Sequence, residues 1–357
     1  MTASKTTVGF LFGGQSGEHE VSLLSAESVL AAIDRDRYDV ILMGIDKNGR
    51  WLFDDPLTRL QAGESAPPDA PRWPDPARLA GLDIIFPVLH GPYGEDGVVQ
   101  GFFEMADIPY VGNGVLASSL AMDKAMCKQI FAAHGLPQIP WQRVASSQLR
   151  AAPAYVVARL EALLDYPMFT KPANLGSSVG IRKVHDKTEL LAGLREAAEY
   201  DTIIVVEQAV PHVREIEVSV MGNEDPRASL PGEIIPGNDF YDYEAKYLSS
   251  SSQERLPAPL SSKLTAQVQE MAVRAFKAIQ GSGLARVDFL LNDVTGELFL
   301  NEINTMPGFT KISMFPKLWA ISGIPYPELI HELIQLGFER HRQRKSLRTT
   351  FPHRAQS

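Results

Sequence analysis

Two apolar runs, LARVDFLLN at 284–292 and FLNEINTMPG at 299–308, flank the short Gly-containing segment DVTGE. This pattern predicts an antiparallel hairpin. With 293–297 as the loop, Asn292 opposes Leu298, Asp288 opposes Glu302, and Arg286 opposes Asn304. Side chains alternate across a strand, so Arg286, Asp288, Glu302 and Asn304 share one face. Two carboxylates about 5 Å apart repel by roughly 3 kcal/mol at an effective dielectric of about 20. A sheet tolerates such a pair when a cation lies between the charges. Arg286 is one candidate and a hard divalent metal another. The Asp, Glu and Asn all offer oxygen, which suits Mg²⁺ or Mn²⁺ and not zinc. The alternative is a solvent-facing hairpin with a local Arg–carboxylate network.

The chain of 357 residues is long enough for two or three domains. Its apolar runs, such as IIFPVL at 84–89, are far too short to span a bilayer. The segment MTASKTTVGFLFGG lacks a secretory pattern. Cys127 is the only cysteine, which excludes an internal disulfide and fits a reducing, cytoplasmic setting. A net charge of -9 argues against a nucleic-acid partner. The stretch 343–357 is basic and reads as a frayed tail.

The first third alternates strand-like runs (8–12, 40–45, 83–89) with a helical stripe at 21–33, which predicts a parallel sheet covered by helices. Five prolines in 61–78 mark a surface loop. Further on, strands are expected at 168–171, 179–184, 203–208, 215–221 and 228–235. Helices are expected at 122–133, 188–199, 263–280, 312–321 and 326–340.

Several motifs suggest chemistry. GGQSGEHE at 13–20 turns from strand to helix and exposes amide groups at a helix N-terminus, but it is not a proper dinucleotide fingerprint. Glu18 within it either serves function or complements the helix dipole. LHGPYGEDG at 89–97 puts His90 at the end of a buried strand, where α/β ligands usually sit; the alternative is a histidine that only hydrogen-bonds its own turn. In FTKPANLGSSVG at 169–180 a strand ends in Lys171 and a Gly/Ser loop follows. Backbone amides, two hydroxyls and an ammonium suit a phosphate cradle lying as a flap; the alternative is a tight hairpin loop with N-capping-type serines. The strand IIVVEQAV carries Glu207, and Glu215 opens the next one. The polar, Tyr-rich loop 237–255 suits a lid over a small polar substrate.

Taken in order, GGQSGEHEVSLLSA, LHGPYGEDG, MDK, TKPANLGSSVG, YDYEAKY, GLARVDF and NEINTMPGFTKISMFP resemble the D-alanine–D-alanine ligase family of ATP-grasp enzymes over roughly residues 7–340. The resemblance implies an α/β chain, α+β in its ATP-grasp part. A Rossmann-like, parallel-sheet substrate domain would span 1–120. The two ATP-grasp subdomains would be 121–214, bearing the flap, and 215–342, bearing the metal site and the lid.

The resemblance also implies roles. Lys124, Lys171, Ser178 and Lys246 would meet the ATP phosphates, with Glu207 and Glu215 at adenine and ribose. Asp288, Glu302 and Asn304 would hold two Mg²⁺ (or Mn²⁺) ions. Arg286 and the Gly308 amide would stabilise the oxyanion. Glu18 would receive the ammonium of the first D-alanine, with His90 near its carboxylate. Ser313 and the Met314 backbone would take the carboxylate of the second. Glu18, Ser177 and Tyr247 would form a hydrogen-bonded set joining lid to floor, and Tyr247 in place of His would favour dipeptide over ester. The implied product is D-alanyl-D-alanine for peptidoglycan, made by a cytoplasmic homodimer.

Three other readings stand beside this one. A glutathione-synthetase-like ligase would keep the phosphate and metal residues but not Glu18, His90, Tyr247 and Ser313. A nucleotide sensor would not need Arg286. A metal-dependent hydrolase does not explain the flap.

Overall fold

The structure, a computed structural model, describes residues 5–235 and 253–349. The chain opens with β1 (Thr6–Gly13), α1 (His19–Ala32), β2 (Tyr38–Ile45), β3 (Trp51–Leu52), α2 (Pro56–Gln61), α3 (Pro76–Leu79), β4 (Ile84–Pro87), α4 (Val98–Met105) and α5 (Val115–Met122). The strands form one sheet in the order β3-β2-β1-β4, parallel except at the β3 edge. Runs such as VGFLF are fully buried because helices lie over both faces. The Pro-rich segment after α2 carries no regular structure until Pro76.

The middle of the chain comprises α6 (Lys124–Ala133), β5 (Trp141–Ala145), α7 (Ser146–Ala151), α8 (Pro153–Glu161), β6 (Met168–Pro172), β7 (Arg182–Val184), α9 (Lys187–Tyr200) and β8 (Ile203–Gln208). Its sheet runs β5-β8-β6-β7 and is antiparallel. Asp123 caps α6 by accepting from the amides of Ala125 and Met126, which fixes Lys124 in the first turn. The strand expected from 179 starts only at Arg182, because 175–180 form the flap.

The last part contains β9 (Val213–Gly222), β10 (Arg227–Ala228), β11 (Gly232–Ile235), β12 (Gln253–Arg255), α10 (Ser262–Ala278), β13 (Gly283–Asn292), β14 (Leu298–Asn304), α11 (Met314–Ile321) and α12 (Tyr326–Lys345). The sheet order is β12-β11-β9-β13-β14, with β10 on β9. Val268, Met271, Ala272, Ala275 and Phe276 form the buried stripe of α10 against this sheet. The run expected as one strand at 228–235 breaks into β10 and β11. Of the loop expected at 237–255, only 253–255 are described, and they pair with β11. The last helix runs past 340 to Lys345, which meets Asp107 of the first part.

One apolar core joins the first sheet to the last helices. Phe10, Phe86, Phe309, Phe315, Trp319 and Leu333 belong to it, and Phe86 meets Phe309 edge to face at 5.9 Å. The middle sheet has its own core, made only of residues between 144 and 206.

Candidate active site

The hairpin pairs as expected at its far end and not at its turn. Arg286 opposes Asn304 and Asp288 opposes Glu302, but Leu291, not Asn292, opposes Leu298. A β-bulge at Asn301 absorbs the difference. The bulge also resets the alternation. Leu298 and Leu300 point into the core before it and Ile303 after it, which turns Glu302 and Asn304 toward the cleft.

On this face Arg286 lies flat against Asp288, donating from Nε to Oδ1 (2.7 Å) and from Nη2 to Oδ2 (2.6 Å). Its Nε is also 3.1 Å from Glu217 Oε2 on β9. Burial opposes the charge on Arg286, but Asp288 and Glu217 outweigh it and hold the guanidinium charged. Asn304 Oδ1 accepts from the Met306 amide at 2.9 Å. Among the described residues no three His, Cys, Asp or Glu side chains converge to cage a metal. Magnesium does not need such a cage, since one or two carboxylates plus phosphate oxygens suffice. Asp288, Glu302 and Asn304 fit that requirement as hard oxygen donors on adjoining strands.

Glu18 is the N-cap residue of α1, yet its carboxylate does not cap the helix. It accepts instead from the Ser177 hydroxyl on the flap. Two glycines make room for it. A Cβ on Gly91 would lie 2.8 Å, and one on Gly176 2.9 Å, from Glu18 Oε2. Ser177 and Ser178 both have positive φ (52° and 60°), a conformation that costs on the order of 1–3 kcal/mol per non-Gly residue. Lys124 Nζ donates to Leu175 O at 2.6 Å, which ties the flap to α6.

His90 is buried, with both ring nitrogens engaged. Nδ1 donates to Met306 O (3.0 Å), so Nε2 is the acceptor facing Ser25 Oγ (3.2 Å). Burial lowers its pKa and favours this neutral ring. The same Ser25 Oγ accepts from the Phe309 amide, and Ser28 Oγ accepts from that of Lys311. These bonds dock the 308–313 loop on α1. In that loop Ser313 Oγ lies 2.8 Å from Thr310 Oγ1 and points back at Gly308. Met314 begins α11.

A cleft of about 1080 Å³ collects most of these groups, among them Glu18, Ser177, Lys124, Arg286, Glu302 and Ser313. Behind it lies a nearly closed space of about 10 Å³ lined by Lys124, Lys128, Lys171, Glu207, Asn301 and Glu302. There Glu207 bridges Lys128 (2.8 Å) and Lys171 (2.5 Å). Burial alone would raise the Glu207 pKa, but the two lysines reverse that and bring it to about 2. Glu215 and Glu302 add to the field that keeps Lys171 charged. Ser178 is on the flap. Lys246 and Tyr247 lie outside the described residues.

Two family descriptions match the chain, the D-ala D-ala ligase N-terminus over 7–113 and the D-ala D-ala ligase C-terminus over 130–335. The chain belongs to the D-alanine–D-alanine ligase family. Among similar proteins, the D-alanine–D-alanine ligase of Heliobacterium modesticaldum is 49% identical, covering 96% of this chain and 97% of that protein. That of Natranaerobius thermophilus is 47% identical, covering 97% and 99%. Among solved structures, the Coxiella burnetii D-alanine–D-alanine ligase superposes with a TM-score of 0.82 at 35% identity, covering 96% of this chain and 97% of that one. The VanG D-Ala:D-Ser ligase of Enterococcus faecalis gives 0.81 at 32% identity, covering 94% and 100%. The fold of this family member is the ATP-grasp fold of those ligases.

Sequence reasoning passed over four residues that the site uses. Glu217 sits two positions after Glu215 on the same strand, so simple alternation points to it. Lys128 is one helical turn beyond Lys124. Glu95 lies in the quoted HGPYGEDG motif beside Glu18. Ser25 carries no signal in the sequence alone.

Proposed function

We propose that this D-alanine–D-alanine ligase family member condenses two D-alanines at the expense of ATP, giving D-alanyl-D-alanine, ADP and phosphate for peptidoglycan precursors. The observation that carries the reading is the meeting of Ser177 with Glu18 at the rim of a cleft that Arg286, Glu302 and Asn304 line, with Asp288 paired to Arg286 on the same sheet face.

In this reading Glu18 receives the ammonium of the first D-alanine and turns its carboxylate toward the nucleotide. His90, whose own nitrogens are engaged, supports this end of the cleft by fixing the 306–309 backbone. Lys124, Lys171 and Ser178, with Lys246, take the phosphates, and Glu207 and Glu215 flank adenine and ribose. The first carboxylate attacks the γ-phosphorus to give an acyl phosphate. The second D-alanine, its carboxylate at Ser313 and the Met314 amide, attacks that carbonyl through its amine. Arg286 and the Gly308 amide stabilise the tetrahedral oxyanion, which collapses to dipeptide and phosphate. The flap keeps water from the acyl phosphate, and Ser177 with Tyr247 offers a route for the amine proton. Asp288, Glu302 and Asn304 would hold Mg²⁺ or Mn²⁺, two ions per site, which when bound offset phosphate charge.

We read the chain as three units, 1–120, 121–214 and 215–342, acting as a cytoplasmic homodimer; support for this is the family likeness. Among the described residues no helix is long and apolar enough to cross a membrane. The test is ADP release from ATP and Mg²⁺ with D-alanine, L-alanine, D-alanine plus D-lactate or D-serine, or no amino acid. Release with D-alanine alone, matched by dipeptide, is expected. Equal release with L-alanine or with no amino acid overturns the reading.

A further inference from the structure

Helix α6 carries Lys124 and Lys128 one turn apart. The first lines the large cleft, whereas the second faces inward, with its side chain 3% exposed. A lysine so deeply buried requires a partner, and Lys128 finds it in Glu207 at 2.8 Å. That carboxylate is already complete without it, since Lys171 Nζ lies 2.5 Å from its other oxygen. Two ammonium groups therefore share one carboxylate.

The two lysines are not equivalent. The Lys171 side chain is 12% exposed, stands at the end of β6 just before the flap, and feels Glu302 and Glu215 as well as Glu207. Lys128 is sealed behind it. Breaking a buried pair by removing one partner is costly, because the remaining charge is left uncompensated. A lone Lys171–Glu207 pair would therefore resist giving up its lysine to any other anion. With Lys128 present, Glu207 keeps a counter-charge whether or not Lys171 stays.

We propose that Lys128 is a positioning residue that holds the charge of Glu207, so that Lys171 can exchange that carboxylate for the phosphates of ATP. The proposal rests on the reading that Lys171 contacts the nucleotide.

The experiment measures ATP-dependent ADP release and thermal unfolding for the full chain and its variants. Lys128→Met fills the space and leaves a neutral Lys171–Glu207 pair. It is expected to unfold cooperatively, to raise the KM for ATP about tenfold or more, and to change kcat at saturating ATP by less than about threefold. In a Glu207→Gln background there is no buried carboxylate to compensate. There Lys128→Met is expected to change the KM for ATP by less than about twofold. This second comparison stands even if the single variant does not fold. An ATP KM unchanged in folded Lys128→Met, or raised equally in both backgrounds, overturns the inference alone. Wild type that releases no ADP, or Lys171→Met with an unchanged ATP KM, overturns the underlying reading of Lys171 and the inference with it.

Discussion

Ser177 donates its hydroxyl hydrogen to Glu18, a residue 159 positions earlier in the chain. The bond joins the flap to the start of the first helix, two segments that share no sheet. It also engages a carboxylate that leaves its own helix uncapped. Ser177→Ala is expected to leave thermal stability nearly unchanged, since the flap is a surface loop. It should lower kcat for ADP release about tenfold or more, through poorer closure over the reacting groups. Wild-type kcat in the variant would remove this contact from the mechanism.

Glu302 stands opposite Asp288 on neighbouring strands. Glu302→Gln relieves a repulsion with Asp288, gives up an attraction to Lys171 and Arg286, and removes a hard oxygen ligand. The variant is expected to remain folded, because the two effects oppose each other, and to lose about 100-fold or more in Mg²⁺-dependent turnover. Turnover within a few-fold of wild type would refute the metal assignment.

Asn301 is the extra residue of the bulge in β14. Its deletion would straighten the strand and swap the faces of every residue from Glu302 onward, unless the pairing slips. Both outcomes bring a charged or amide side chain toward the core or displace it from Arg286. Activity should vanish and Tm should fall by several degrees. Asn301→Ala keeps the backbone count and should retain most activity. Equal behaviour of the two variants would show that the bulge is incidental.

Glu95 sits beside Glu18, Asp96 and Lys124, accepting from the Gly91 amide at 3.1 Å. Burial first, and the Glu18 charge second, push its carboxyl up from 4.5 to about 8. The folded protein thus keeps a proton that the unfolded chain has already released. That contribution to stability is complete below 4.5 and is lost as pH rises through about 8. Wild type should therefore lose Tm as pH rises from 4.5 to about 8, and Glu95→Gln, which stays neutral, should lose less. Parallel Tm curves for the two proteins would contradict the shift.

Much of the site was legible because strand alternation carries chemistry directly. The shared face of Arg286, Asp288, Glu302 and Asn304 follows from period two, and the bulge that rescues it is invisible to that rule. Assuming a five-residue turn placed the far pairs correctly and the near pair one step off; two deviations of one residue cancelled. The parallel first sheet followed from alternating elements, whereas the limits of β7 and the split of β10 from β11 did not. Those limits depend on where the flap and the β9 edge find partners. The Ser177–Glu18 contact came from resemblance, since no local rule brings residues so distant together. The double pairing of Glu207 depends on packing depth, which a lysine at a helical position does not announce.

The apolar core that runs from Phe10 and Phe86 through Phe309 to Leu333 binds the beginning of the chain to its end, while the middle sheet keeps a core of its own. Glu18 and Arg286 therefore stand on one continuous foundation, and the spacing between them is set when the protein folds. A widening of the mouth that leaves this shared core intact is then a tilt of the central jaw, with its serines, against the anvil formed by the two ends of the chain.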